Sequence, residues 1–182
     1  MRTLIANLLE SERLAADRAS LQRQPTDLAA LVRGVVDAQF AGHPIALTLA
    51  DGLPALPLDV ARIELLVRNL LDNALRHGAG GHAMVEVSLQ RVGAEVALSV
   101  RDHGPGVDAE HLARLAEPFY RTDQARTRHQ GGVGLGLYLC RQVALSHGGQ
   151  LDIRRAEPGL AVVLVLPINA DETAGADRLL RR

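Results

Sequence analysis

A helix with an apolar stripe on only one side dominates the sequence between Asp59 and Gly78. From Val60 to about His77, Ile63, Val67, Leu70 and Ala74 share one side, with Leu66 and Leu71 at its margins. Asp59 is placed to cap this helix, and Gly78, Gly80 and Gly81 stop it. A long helix of this kind has to bury its stripe against a broad partner. The two segments that follow, MVEVSLQRV and EVALSVRD, alternate apolar and polar residues around Gly93, the pattern of a hairpin with one buried face. One-sided helix and one-sided strands together imply two layers.

The remaining segments fit the same plan. Pro25 ends a first segment, and Thr26 or Asp27 can cap a helix carrying Leu28, Leu31, Val32 and Val35. IALTLA, from Ile45 to Ala50, alternates like a half-buried strand and leads into the connection DGLPALP. A short helical stretch is expected over Ala109 to Ala116, and a longer helix over Gly134 to His147 with Leu135, Leu139, Val143 and Leu145 apolar. Gly148 and Gly149 read as its left-handed cap, which makes His147 structural. Strands near Leu151 to Arg155 and Ala161 to Leu166 close the fold. The class is therefore α+β, a two-layer sandwich in which helices cover one face of a mixed β-sheet. Ahead of it, Leu4, Ile5, Leu8, Leu9, Ala15 and Ala19 form a narrow helical stripe suited to a partner helix. The stretch after Pro167 is too polar to pack by itself and is expected to be mobile.

Composition decides which chemistries are open. With 182 residues, 47 % of them apolar, one domain with a real core is available. All 20 basic residues are arginine, against 21 acidic ones, so no lysine-based phosphate site or Schiff base exists here. The net charge of -1 and only four aromatics, Phe40, Phe119, Tyr120 and Tyr138, argue against a nucleic-acid partner. A single cysteine, Cys140, excludes an internal disulfide and a multi-cysteine zinc site. No apolar run approaches the length of a membrane span, so the chain is expected to be soluble.

Four short motifs carry candidate chemistry. In LLVRNLLDNALRHG, Asn69, Asn73, Arg76 and His77 form a polar edge beside the apolar stripe. It is either a solvated face or a ligand edge; amide oxygens are neutral hard ligands suited to Mg²⁺ that arrives with phosphate. RDHGPGV puts Asp102 at a strand end before Gly104 and Gly106, either as a plain turn or as a carboxylate for an adenine amino group. In GGVGLGL, Gly131, Gly132, Gly134 and Gly136 crowd ahead of a helix, where unpaired N–H groups favour phosphate. Between them, EPFYR opens a polar stretch in which Arg121, Arg126 and Arg128 face only Asp123, a solvated linker or a cationic lid hinged at Phe119 and Tyr120.

In chain order, LLVRNLLDNALRHG, RDHGPGV, EPFYR and GGVGLGL resemble the N, G1, F and G2 boxes of the ATP-binding catalytic domain of sensor histidine kinases. The resemblance covers about Pro25 to Pro167, and the segment before it looks like the end of a dimerisation helix and its link. Three parts are thus expected: residues 1–24, the end of that helix and a linker; 25–168, the ATP-binding domain; and 169–182, a flexible tail. The implied fold is the ATP-binding sandwich shared with gyrase-type ATPases, and the implied cofactors are ATP and Mg²⁺. Asn73 would hold Mg²⁺, with Asn69 near the ion or phosphates, Arg76 on phosphate and His77 along the nucleotide. Asp102 would bind the adenine amino group. Gly104, Gly106, Phe119, Arg121, Gly132, Val133, Gly134, Leu135, Gly136 and Leu137 would shape the rest of the pocket.

Gyrase-type relatives carry a glutamate base where this chain has Asn69, so vigorous hydrolysis is not implied. An acceptor histidine in a setting like H-E-x-x-x-P is also missing, since none of His43, His77, His82, His103, His111, His129 and His147 has those neighbours. The implied partners are therefore a separate dimerisation domain carrying that histidine, a response-regulator receiver domain, and a second copy in a full-length homodimer. The implied location is cytoplasmic, in a full-length protein that the bacterial inner membrane can anchor. A nucleotide-dependent switch or a serine-kinase relative of the anti-sigma type is the alternative.

Overall fold

A computed structural model describes residues 21–78, 84–121 and 134–169. The expected helix over Leu4 to Ala19, the tail beyond 169, Gly80, Gly81, Asp123, Arg126, Arg128, Gly131, Gly132 and Val133 lie outside these residues.

In chain order the elements are β1 (Gln24–Thr26), α1 (Leu28–Gln39), β2 (Ile45–Leu49), β3 (Leu56–Leu58), α2 (Val60–His77), β4 (Val85–Val92), β5 (Glu95–Arg101), α3 (Ala109–Leu112), α4 (Gly136–Ser146), β6 (Gln150–Arg155) and β7 (Leu160–Pro167). Five strands form one sheet in the order β2-β4-β5-β7-β6. β2 runs parallel to β4 and every other neighbouring pair is antiparallel, which makes the sheet mixed as expected. β1 and β3 pair separately, antiparallel, with Pro25 opposite Pro57.

The buried alternation places the helix layer. Val85, Val87 and Leu89 on β4, Val96, Leu98 and Val100 on β5, and Val162, Leu164 and Leu166 on β7 are buried and face the helices. From α2, Ile63, Leu66, Val67, Leu70, Leu71 and Ala74 enter the same core, joined by Leu28, Val32 and Val35 of α1 and Leu139, Cys140, Val143 and Ala144 of α4. Each fully buried leucine contributes about 1.5–3 kcal/mol relative to an exposed one. Cys140 donates from Sγ to Leu66 O at 3.6 Å, and burial pushes its thiol far above the ordinary range, so it is a packing residue.

Both long helix starts follow the capping expectation. Asp27 accepts from Ala30 N–H at 3.0 Å, and Asp59 accepts from Arg62 N–H at 3.3 Å. The end of α4 also behaves as expected: Gly148 is left-handed at φ 75, while Gly148 and Gly149 donate to Leu145 O and Ala144 O. Leu145 does not join the α4 core but stands 51 % exposed, because two residues beyond Val143 is about 200° around the helix. The α3 region is also shorter than expected, with helix only to Leu112 and single turns through Ala116.

His147 is the polar joint between helices. Its Nδ1 donates to Val143 O at 2.8 Å, and its Nε2 accepts from Asp59 N–H at 3.0 Å, so the neutral ring ties the end of α4 to the start of α2. Burial, the largest influence, holds its pKa below the ordinary 6.5. A depressed imidazole contributes its full stability above the unfolded value of 6.5 and loses it as pH falls toward the folded value. Urea unfolding between pH 7.5 and 5.5 should therefore show falling stability, with a limiting slope of about 1.4 kcal/mol per pH unit from this group. His147→Ala should be less stable at neutral pH and flatter across that range; an unchanged slope would clear His147 of the effect.

Candidate functional site

The motifs separated in sequence meet at one end of the helix layer. α2 carries Asn69, Asn73 and His77 half-buried, with Arg76 exposed, all on the edge beside its core stripe. Asn69 reaches toward the start of α4, where a Cβ on Gly136 would stand 4.0 Å from Asn69 Oδ1. The Asn69 Nδ2 is buried and has no hydrogen-bond partner among the described residues. Leaving an amide of this kind unpaired in a core is costly. Rotation of the amide by 180° exchanges its nitrogen for its oxygen, so the same position serves a phosphate oxygen or a cation. Among the described residues no group of three or more His, Cys, Asp or Glu could hold a metal ion. The polar groups that α2 offers on this edge are neutral amides, a type of ligand that suits Mg²⁺ arriving with phosphate.

The G1 segment closes on the far end of α2. Gly104 packs against the last turn so tightly that a Cβ there would overlap His77 O. Asp102 is 5 % exposed, and its Oδ1 accepts from Gly104 N–H at 2.8 Å and from Leu160 N–H at 3.3 Å. The carboxylate is thus both a turn former and a buried acceptor, so the two readings of RDHGPGV are not exclusive. Gly106 adopts φ 72, and its neighbour across the site is Gly159. His103 turns to Glu86, with Nε2 2.8 Å from Oε1.

EPFYR and the described part of the glycine-rich segment, from Gly134, form the third side. Phe119 donates from its backbone N–H to Gly134 O at 3.0 Å, and Gly134, at φ 81, leaves no room for a Cβ beside Tyr120 O at 2.7 Å. Phe119 is 58 % exposed and its φ is 63, so it meets Gly134 through its backbone. Tyr120 is the ring that anchors: His111 Nδ1 meets its hydroxyl, and Arg114 lies 4.2 Å over its face. Arg121 is half-buried at the end of that described segment. Leu135 is buried just before α4, whereas Gly136 and Leu137 are half-buried in its first turn. That turn leaves backbone N–H groups unpaired within the helix, near Asn69.

Sequence patterning missed one turn and one pairing. Gly159 and Leu160 come from the β6–β7 turn and pack on Asp102; the EPGL turn signal was visible, but its partner was not. Asp59 and His147 brace the helices from behind, joined across 88 residues of sequence.

Residues 58–170 match the family described as histidine kinase-, DNA gyrase B-, and HSP90-like ATPase. The signal transduction histidine-protein kinase AfsQ2 of Streptomyces coelicolor is 35 % identical over 179 residues, covering 96 % of this chain. The chain spans only 32 % of the length of AfsQ2. Among solved structures, full-length ShkA in complex with AMPPNP is similar with a TM-score of 0.76 at 27 % identity, covering 91 % of this chain and 35 % of that one. The mycobacterial sensor histidine kinase MprB aligns with a TM-score of 0.67 at 27 % identity, covering 80 % of this chain and 97 % of its own. A mixed sheet under one helix layer, an asparagine edge on α2 and a glycine-led α4 beside it agree with that match, and the chain belongs to the histidine kinase-, DNA gyrase B- and HSP90-like ATPase family.

Proposed function

We propose that this chain is the ATP-binding catalytic domain of a two-component sensor kinase, presenting Mg·ATP for γ-phosphoryl transfer to a histidine on a dimerisation domain. From that histidine the phosphoryl group passes to the aspartate of a response-regulator receiver domain. The observation that supports this best is the buried amide of Asn69 beside Gly136, unpaired among the described residues, which leaves a polar group available to a ligand where the polar edge of α2 meets the start of α4. Similarity to sensor kinases such as AfsQ2 supports the reaction class, and the AMPPNP in the ShkA complex supports the nucleotide.

Each residue has a chemical reason for its assignment. Asn73, one turn beyond Asn69, would hold Mg²⁺, which would supply neutralisation of the phosphate charge. Asn69 would contact the ion or the phosphates, and as an amide it cannot take a proton from water. Arg76 offers a planar, permanently charged fork to phosphate, and His77 lines the nucleotide. Asp102 accepts from the adenine amino group, while Gly104 and Gly106 let the base approach. Gly134, Leu135, Gly136 and Leu137 would border the phosphates at the start of α4, where the helix dipole favours negative charge, and the assignment extends in sequence to Gly132 and Val133. Phe119 and Arg121 would also border the phosphates. Residues 1–24 would end the dimerisation helix, and the acceptor histidine and the base would come from a dimerisation domain, in a protein working as a homodimer.

The test combines binding with transfer. ATP should bind in the presence of Mg²⁺, and the isolated chain should form no acid-labile phosphohistidine. Addition of a separately expressed dimerisation domain with its histidine should restore γ-phosphate transfer. Tight ATP binding without transfer to any such domain would replace the kinase reading with a nucleotide-dependent switch.

A further inference from the structure

The turn between β6 and β7 is built around the Asp102 carboxylate. Gly159 stands at φ 96, a region that side chains rarely adopt, and a Cβ there would overlap Asp102 O and lie 2.8 Å from its Oδ1. Leu160 exchanges two contacts with the same residue: its N–H donates to Asp102 Oδ1 at 3.3 Å, and its carbonyl accepts from Asp102 N–H at 2.9 Å. Gly104 N–H donates to Oδ1 from the opposite side at 2.8 Å. Two donors therefore converge on one carboxylate oxygen, and among the described residues no hydrogen bond reaches Oδ2. The Leu160 side chain is apolar and buried, so position 160 offers only its backbone to the carboxylate.

We infer that the Gly159–Leu160 turn is a specificity-determining positioning element, which locks Asp102 so that Oδ2 alone is presented as a fixed acceptor to the purine edge. This rests on the assignment of Asp102 to the adenine amino group. A carboxylate free to rotate could turn aside, or take up a water, when a base presents a carbonyl in place of the amino group. Held by two amides on Oδ1, it cannot do so without leaving buried N–H donors unpaired. A 6-amino group then gains a hydrogen bond, a bare C6–H gains nothing, and a 6-carbonyl meets acceptor against acceptor. The turn touches no nucleotide atom in this scheme. It acts through Asp102.

The wild-type chain provides the first test, by calorimetric titration with ADP, purine riboside 5′-diphosphate and IDP in Mg²⁺. The expected order is ADP tightest, the unsubstituted purine about tenfold weaker and IDP weaker again by a similar factor. Equal binding of IDP and the unsubstituted purine means that the carboxylate adapts, and the inference fails. Failure of ADP to exceed either analogue removes Asp102 from the base, so the underlying assignment fails instead. The second test uses Gly159→Ala, and Leu160→Pro, which deletes the N–H at the first residue of β7. Folded protein from either should show the ADP-to-IDP ratio narrowed about tenfold, whereas Leu160→Val, which keeps the amide, should retain it. A narrowed ratio in Asp102→Asn with wild-type ratios in both turn variants would overturn the role of the turn and leave Asp102 in place.

Discussion

Asn73→Ala is expected to weaken Mg²⁺-dependent ATP binding by about ten- to a hundredfold and to reduce phosphoryl transfer to near background. The magnitude follows from losing one contact to a charged group, about 1.5–3 kcal/mol. Transfer should suffer more than binding, because misplaced phosphate charge raises the barrier even for nucleotide that still binds. The fold should survive. Asn73 is half-buried on the polar edge, and its neighbour Ala74, not Asn73 itself, packs in the core. Alanine is also the better helix former by a few tenths of a kcal/mol, so the melting temperature should stay level or rise slightly. Calorimetry with ATP in Mg²⁺ and in EDTA separates the contributions. The variant should lose the Mg²⁺-dependent part and keep the remainder. Equal Mg²⁺ dependence in variant and wild type would take Asn73 out of the metal position, even with the rest of the site intact.

The elements that sequence periodicity revealed are those long enough to repeat a pattern. α2 begins and ends where its stripe, its Asp59 cap and its glycines place it, and β4 and β5 fall within a residue or two of their alternation. β1 and β3 were invisible because three residues cannot show a period, and their pairing joins the linker to the connection before α2. The site divides the same way. As candidates, Asn69 and Asn73 stood out because asparagine is a mediocre helix former, Asp102 because it ends a strand before two glycines, and Gly134 and Gly136 because they crowd ahead of a helix. What packs on them did not. The Gly159 turn reaches Asp102 across 57 positions of chain, and no local pattern encodes such a contact. Phe119 illustrates a subtler limit: its place at the junction was readable, but its left-handed backbone and outward ring depend on how Gly134 stacks against it.

Gly104→Val should affect the nucleotide site more than the fold, because of what its missing side chain lets approach. A Cβ at 104 would overlap His77 O and lie 3.0 Å from Asp102 Oδ1, and neither the carbonyl nor a carboxylate held by its own turn can yield cheaply. The turn and the last turn of α2 must move apart. That displacement carries Asp102 away from Asn73, Arg76 and His77, the groups assigned to opposite ends of one nucleotide, so affinity depends on their spacing as well as on their presence. Overpacking of this kind destabilises by about 1–3 kcal/mol, a fall in melting temperature of a few degrees for each. ATP affinity should drop by more than tenfold while circular dichroism still reports a folded α+β chain. Gly106→Ala makes the comparison. Its φ of 72 imposes strain, but its Cβ would meet Gly159 O at 3.3 Å, a contact that a small shift relieves. It should lose comparable stability with a smaller loss of affinity. If Gly104→Val remained folded and bound ATP as the wild type does, the contact between the Asp102 turn and the end of α2 would be a packing detail, and the two halves of the proposed pocket would not belong to one site.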